Sequence, residues 1–411
     1  MQISIQTLGT RGDVQPYLAL GLGLARAGHD VVLAAPARFE AFVMGHGLAF
    51  APLPDDLLDL MDAPEGRAAM AGRVNPLAMT RLVRRIRPMM RGLFEAQWAA
   101  AGGAEAILYH PKAVASTAIA ERLRIPALLG FPLPGMTPTR AFPSPMLPFA
   151  DLGPLNALSH RLFLRYGDRL FAKPLARFRE EVLGLSGPAG PGAVPVARLY
   201  GVSPVVVPRP GDWDADSHLT GYWFLDEAPG WRPDPALAAF LEAGPALVYV
   251  GFGSIPSLDP AATTALVIEA LARAGLRGVL ATGWGGLAQA DAAHVHMLDA
   301  APHAGLFPLM AAVVHHGGAG TTAAGLRAGR PSLILPFFGD QPFWGRQVAR
   351  LGAGPAPIPQ AGLTVENLAR ALGEVARDPG MARRAGAIGV RVRAEDGVGR
   401  AVALIERYAA R

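Results

Sequence analysis

His315-His316-Gly317-Gly318-Ala319-Gly320-Thr321-Thr322 is the stretch whose reading decides the fold. Ahead of it, the apolar run Ala311-Ala312-Val313-Val314 reads as a short buried strand. Behind it, Ala323 to Gly329 reads as a small-residue helix that closes on glycine before Pro331. A strand, a glycine-rich turn and a helix together present backbone N–H groups and a helix dipole to a phosphate. The paired histidines add donors beside that turn. The stretch therefore predicts a diphosphate site on the second half of an α/β protein.

The surrounding segments repeat the pattern. Ala246 to Val250 is a strand that enters Gly251-Phe252-Gly253-Ser254, and a helix follows from about Pro260 to Ala274. Gly278 to Thr282 is the next strand and ends at Gly283-Trp284-Gly285-Gly286. Strands near Val295 to Leu298 and Ser332 to Leu335 complete a second α/β sheet. The last of them leads into Pro336-Phe337-Phe338-Gly339-Asp340-Gln341-Pro342-Phe343-Trp344. No metal-ligand spacing is present. Adjacent histidines on a strand point to opposite sides and do not suit one metal.

The first half has its own series. Met1 to Thr7 alternates apolar and polar residues and runs into Leu8-Gly9-Thr10-Arg11-Gly12-Asp13-Val14-Gln15-Pro16. A helix is predicted over Tyr17 to Ala27, then a strand over Val31 to Ala35. The first turn lacks the G-x-G-x-x-G of a dinucleotide site and carries Asp13 instead. Asp13 either caps the following helix or faces the crevice where open α/β sheets bind ligands. Leu77 to Trp98 interleaves Arg81, Arg84, Arg85, Arg87 and Arg91 with apolar residues, and Pro88 should kink or divide it. Such a helix can lie on an anionic membrane surface, or it can simply carry a solvated arginine face. Phe131 to Pro154 is rich in proline and apolar residues, among them Phe131, Met136, Phe142 and Met146. It reads either as a wall for a hydrophobic ligand or as a loop packed on its own domain. Pro/Gly-dense Gly184 to Pro195 and irregular Pro208 to Pro235 are the places for an interdomain hinge.

Composition sets the frame. At 411 residues two domains are expected, and 51% hydrophobic with 17% charged residues describes a core-rich protein. The net charge of +5 comes almost wholly from arginine, since Lys112 and Lys173 are the only lysines. With abundant Ala, Gly and Pro this points to a GC-rich genome and not to a nucleic-acid partner. The chain has no cysteine, which excludes disulfides and thiolate metal sites. No signal peptide or membrane-length apolar span is visible, so a cytoplasmic location is expected, with peripheral contact at the inner face of the membrane through the Arg-rich segment.

The second half thus holds phosphate features, and Asp340-Gln341 suits the vicinal hydroxyls of a sugar. The first half offers Asp13 as the one well-placed base. Together they describe transfer of a sugar from a nucleotide diphosphate. On Gly9 to Pro16, His315 to Thr322 and Pro336 to Gly345, the chain resembles the GT-B-fold glycosyltransferases of family 1, in the branch of sterol and lipid glucosyltransferases and antibiotic glycosyltransferases. His110-Pro111-Lys112 and Thr137 to Pro143 are similar to the sterol glucosyltransferases in particular.

The resemblance implies two Rossmann-like α/β/α domains facing a central cleft. Residues 1–195 would bind the acceptor, 196–245 would form the linker region, 246–390 would bind the nucleotide sugar, and 391–411 would form a C-terminal helix packing back on the first domain. It implies UDP-glucose as donor, a hydrophobic alcohol as acceptor, no cofactor and no metal. Residue by residue, His316 matches the histidine on the donor diphosphate and Thr321 the hydroxyl beside it. Asp340 and Gln341 match the pair on the glucose hydroxyls, Ser254 a phosphate-contacting serine, and Asp13 the general base. Gly12, Gly318 and Gly320 complete the expected donor contacts. Two positions depart from the plant-type pattern. The tryptophan under the uracil maps near Ala300, which leaves Trp284 as the stacking candidate, and the ribose-binding glutamate maps to Ala324. His29, His110, Arg11 and Arg140 are assigned to structure or surface. The alternatives are a TDP-deoxysugar transferase, a sugar-nucleotide epimerase or phosphorylase, and a non-catalytic binder.

Overall fold

The protein is described here by a computed structural model covering residues 1–63, 76–190, 192, 194–225, 231–244, 247–253, 259–283, 286–300 and 302–410. Its first part comprises β1 (Gln2–Gln6), α1 (Arg11–Arg26), β2 (Asp30–Pro36), α2 (Glu40–Met44), β3 (Ala49–Leu53), α3 (Asp56–Asp62), α4 (Pro76–Ala100), β4 (Ala106–Tyr109), α5 (Ser116–Leu123), β5 (Ala127–Phe131), α6 (Asn156–Glu181), β6 (Ala197–Tyr200) and β7 (Ser217–Leu219). These strands form a seven-stranded parallel sheet of order β3-β2-β1-β4-β5-β6-β7. The second part comprises α7 (Pro235–Glu242), β8 (Leu247–Gly251), α8 (Pro260–Ala274), β9 (Arg277–Ala281), β10 (Val295–Leu298), α9 (His303–Leu306), β11 (Ala312–His315), α10 (Ala319–Arg327), β12 (Ser332–Ile334), α11 (Gln341–Arg350), α12 (Val365–Arg377), α13 (Pro379–Arg393) and α14 (Gly397–Ala409). Its strands form a five-stranded parallel sheet of order β10-β9-β8-β11-β12. The chain therefore has two doubly wound α/β domains.

Both sheets reverse winding direction once. In the first the reversal lies between β1 and β4, in the second between β8 and β11. A crevice opens outside the carboxyl ends of the strands at such a point, because neighbouring connections leave to opposite faces. Whatever follows β1 and β4, or β8 and β11, is thereby brought together. Strands β4, β5 and β8 are apolar nearly throughout, as sheets covered on both faces require. Ile3, Ile5, Leu33, Leu108 and Leu128 are wholly buried with Leu20 and Leu24 of α1.

Several local expectations are corrected. α1 begins at Arg11 and not at Tyr17, because the Asp13 carboxylate accepts from the Thr10 N–H (2.9 Å) and closes the first turn. α10 begins at Ala319, so Gly320 and Thr321 lie inside its first turn. Pro88 does not divide α4, which runs unbroken from Pro76 to Ala100. The region 196–245 is not simply a linker, since β6 and β7 extend the first sheet beyond residue 195. α14 lies against α1, placing Ala401, Val402, Ile405 and Tyr408 in the first domain's core. Glu406 meets His29 (3.0 Å), and the Tyr408 hydroxyl donates to Asp216 (2.7 Å). No helix among the described residues is long and apolar enough to cross a membrane.

Candidate active site

The turn after β1 carries Asp13 on the first turn of α1, where 20% of its side chain is exposed. Pairing of β1 with β4 aligns Gln6 with Tyr109, so the next residues of both strands emerge side by side. Lys112 Nζ then donates to Asp13 Oδ1 at 2.9 Å, and His110 Nε2 lies 3.3 Å from the same oxygen. The His110 ring is buried, and its Nδ1 accepts from the Lys112 N–H (3.0 Å), which leaves the ring proton on Nε2, facing Asp13. Assigning His110 to structure alone is thus corrected. Burial would raise the Asp13 carboxyl, but Lys112 and then His110 outweigh it and hold the group well below the usual carboxylate range. Lys112 is more than half exposed, and exposed pairs contribute at most about 1 kcal/mol to stability. Its consequence is the charge state of Asp13.

Gly9 makes this arrangement possible. Its φ is +130°, and a Cβ there would stand 2.0 Å from Asp13 Oδ2 and 2.8 Å from Lys112 Nζ. Tyr17 and Phe131 wall the other side of His110, with ring centroids 5.8 and 5.1 Å away.

The second crevice is built mostly of backbone. β11 pairs with β8 so that His315 aligns with Gly251, which sets His316 beside the turn at Gly253. Cβ atoms at Gly253 and Gly318 would stand 3.1 and 2.5 Å from the His316 ring, so the imidazole is threaded between two glycines. The N-cap of α10 is Gly318, and no side chain closes that helix end. Thr321 is half-buried and Gly320 exposed in the first turn. Burial, with a smaller contribution from His303, lowers His316 to about 4, so the ring is neutral at ordinary pH. Its Nδ1 is buried without a hydrogen-bond partner. An orphaned buried nitrogen costs about 1–3 kcal/mol, a cost removed if a ligand supplies the partner. His315 is wholly buried and takes the Gly317 N–H on Nδ1, a supporting role for the turn.

Asp340 ends the turn after β12 and accepts from Trp344 Nε1 at 2.8 Å. Burial raises its carboxyl, and Asp13 adds to the rise across the cleft. The Gln341 Oε1 accepts from the Phe337 and Phe338 N–H groups (2.7 and 3.3 Å), leaving its amide NH₂ as the group free for a ligand. Ser254 and Trp284 lie outside the described residues.

The Phe131 to Pro154 loop packs on both domains. Met136, Phe142 and Met146 join a cluster with Leu133 and Tyr200 on one side and Ile334, Phe343 and Trp344 on the other. The Phe142 and Phe343 rings are 5.5 Å apart. Phe131 reaches from this loop to His110 and so connects the apolar wall to the carboxylate. His29 is held by Glu406, Arg11 bonds Gln15 and covers the Phe42 ring, and the Arg140 N–H donates to Asp212. Sequence reading missed Lys112 as a partner of Asp13, and it missed His303. That ring stacks on Phe307 at 4.3 Å and is lowered to about 4 by burial and then by Arg11 of the other domain. The signal for Lys112 was present in His110-Pro111-Lys112, at the end of a strand. For His303 there was none beyond its following a proline. Among the described residues, no three His, Cys, Asp or Glu side chains are grouped to hold a metal ion. A groove of about 680 Å³ beside α8, lined by Thr264, Ile268 and Gln289 among others, holds none of the cleft's charged groups, and its own Glu269 and Arg273 pair with each other.

A family profile described as the glycosyltransferase family 28 N-terminal domain matches residues 3–143. One described as the erythromycin biosynthesis protein CIII-like C-terminal domain matches residues 287–397. The chain is 39% identical over 430 residues to the sterol 3-beta-glucosyltransferase of Aspergillus fumigatus, covering 99% of this chain and 30% of that protein. It is 37% identical over 416 residues to one from Arabidopsis thaliana, covering 98% of this chain and 64% of that protein. The chain thus spans less than two thirds of the length of these relatives. In fold it is similar to the glycosyltransferase of kitacinnamycin (TM-score 0.69, 22% identity, 99% and 98% of the two chains). It is likewise similar to the spinosyn forosaminyltransferase (TM-score 0.69, 15% identity, 100% of each chain).

Proposed function

Since this chain belongs to the GT-B glycosyltransferases, we propose that it moves glucose from UDP-glucose to the hydroxyl of a hydrophobic acceptor such as a sterol. The observation that carries the reading is the pair of carboxylates that the two domains set on either side of the apolar loop between them. Asp13 stands at the first switch point beside an apolar wall, and Asp340 is the N-cap of the helix whose Phe343 ring meets Phe142 of that wall. A sugar held by Asp340 and the Gln341 amide presents its anomeric carbon toward Asp13.

The reaction is then a direct displacement with inversion. The acceptor oxygen forms a bond to the anomeric carbon while the bond from that carbon to the diphosphate oxygen breaks. The acceptor proton passes to Asp13, and UDP departs with the bonding pair. His110, with its proton on Nε2, orients the carboxylate. The open N-terminus of α10, His316 and Thr321 meet the charge that develops on the diphosphate, so the displacement needs no metal.

Purified protein given UDP-glucose and a sterol should yield a hexose adduct by mass spectrometry with the anomeric configuration inverted, and should do so in the presence of a chelator. Turnover with TDP-sugars and none with UDP-glucose would overturn the donor assignment. Retained configuration would overturn the mechanism.

A further inference from the structure

The outer face of α6 is apolar where no described residue covers it. Leu155, at its N-cap, is 56% exposed, and Leu158, Leu162 and Tyr166 are 44, 59 and 61% exposed. Spacings of three, four and four residues put these side chains in one stripe along the helix. Phe149, 49% exposed, lies in the loop that leads into it. A monomer scatters its exposed apolar residues singly, and a contiguous stripe marks an interaction surface.

The charges beside the stripe indicate the partner. Arg161, Arg165, Arg169, Lys173 and Arg177 recur every four residues, and Asp168 is the sole carboxylate between Leu155 and Arg179. None of the five makes an ion pair with a described residue, whereas neighbouring Arg179 is tied to Glu121. In the C-terminal half of α4 the pattern is the reverse. Arg91 is bound by Glu95 and Glu181, and Met90, Leu93 and Phe94 are buried. The inner face of α6 supports the apolar loop of the cleft, since His160 Nε2 lies 3.0 Å from the Phe142 carbonyl.

We propose that the exposed face of α6, from Leu155 to Arg177, docks on a bilayer that carries anionic headgroups. The leucines and Tyr166 enter the headgroup–acyl boundary, and the cations beside them meet lipid phosphates. A second copy of the chain is a poor occupant. A two-fold contact would set this row of cations against itself. The surface is separate from the reacting groups, so its failure leaves the transferase reading standing, and the reverse also holds.

The test is sedimentation with vesicles of phosphatidylcholine, with and without phosphatidylglycerol. The unmodified protein should partition onto the anionic vesicles. Leu158→Glu/Leu162→Glu and Arg165→Glu/Arg169→Glu should each lower that partition by roughly tenfold or more. Met44→Glu and Val390→Glu, at exposed apolar positions elsewhere, should leave it unchanged. Because the chain has no cysteine, a nitroxide on Leu162→Cys reports immersion directly, with Val390→Cys as the aqueous reference. Turnover of a soluble acceptor should be the same in both stripe variants, which also shows that they fold. Absence of binding to anionic vesicles, equal partition of the stripe variants, or a dimer that those variants dissolve would overturn the proposal.

Discussion

The turns after β1 and β11 are built alike and charged in opposite senses. Each joins a buried strand to a helix through glycines at a switch point. In the first, Asp13 folds back onto the Thr10 N–H, so the helix end is occupied by the chain's own carboxylate. In the second, Gly318 supplies no side chain and the end of α10 is open. A helix N-terminus carries roughly half a positive charge. On the proposed reading, the filled end anchors a base and the open end receives an anion. On that reading one backbone device serves both halves of the transfer, with Asp13 in one turn and Gly318 in the other making the difference.

The contrast can be broken most severely at Asp13. Asp13→Asn keeps the size of the side chain and removes the base, and should lower kcat by about 10²- to 10⁴-fold with UDP affinity by calorimetry nearly intact. Turnover at the level of the unmodified protein would remove Asp13 from the chemistry.

The two glycines offer a crossed experiment of smaller effect. Gly9→Ala drives a Cβ into the Asp13 carboxylate and should depress kcat while sparing UDP binding. Gly318→Ala displaces the His316 ring and should weaken UDP binding by roughly tenfold, the value of one charge-assisted contact. If both variants lose the same parameter, the division of labour between the turns is wrong.

Acid should separate the turns as well. His316 titrates near 4 in the folded protein and near 6.5 unfolded, so the unfolded chain takes the proton first as pH falls. The neutral ring's contribution is fully present above pH 6.5 and is lost between about 6.5 and 4, at most about 3 kcal/mol. His316→Gln should flatten that part of a plot of Tm against pH. The smallest expected effect is at Lys112. Removing its charge in Lys112→Met lets the Asp13 carboxyl rise, so the acid limb of kcat/KM should move to higher pH. An unmoved limb would mean that the pair does not govern the base.

How much of this was legible follows from distance along the chain. The turn at His315 to Thr322 could be read because its strand, glycines and helix are consecutive, and Asp13 could be read from its position after the first strand. The strand order of the sheets could not. That β1 lies beside β4 is a tertiary fact, and it alone brings His110 and Lys112 to Asp13 across about 100 residues of sequence. For the same reason residues 196–245 read as a connection, although short β6 and β7 pair with a sheet whose other strands lie before residue 132. The start of α1 was misplaced because a side chain reaching back to the backbone leaves no trace in apolar spacing.

The packing of α14 on α1 has a consequence for synthesis. Ala401, Val402, Ile405 and Tyr408 fill a core whose strands are all complete by Leu219. The ribosome therefore delivers the whole second domain before the first can close. The nascent first domain must wait with an apolar groove along α1, and contacts of such long sequence separation form slowly.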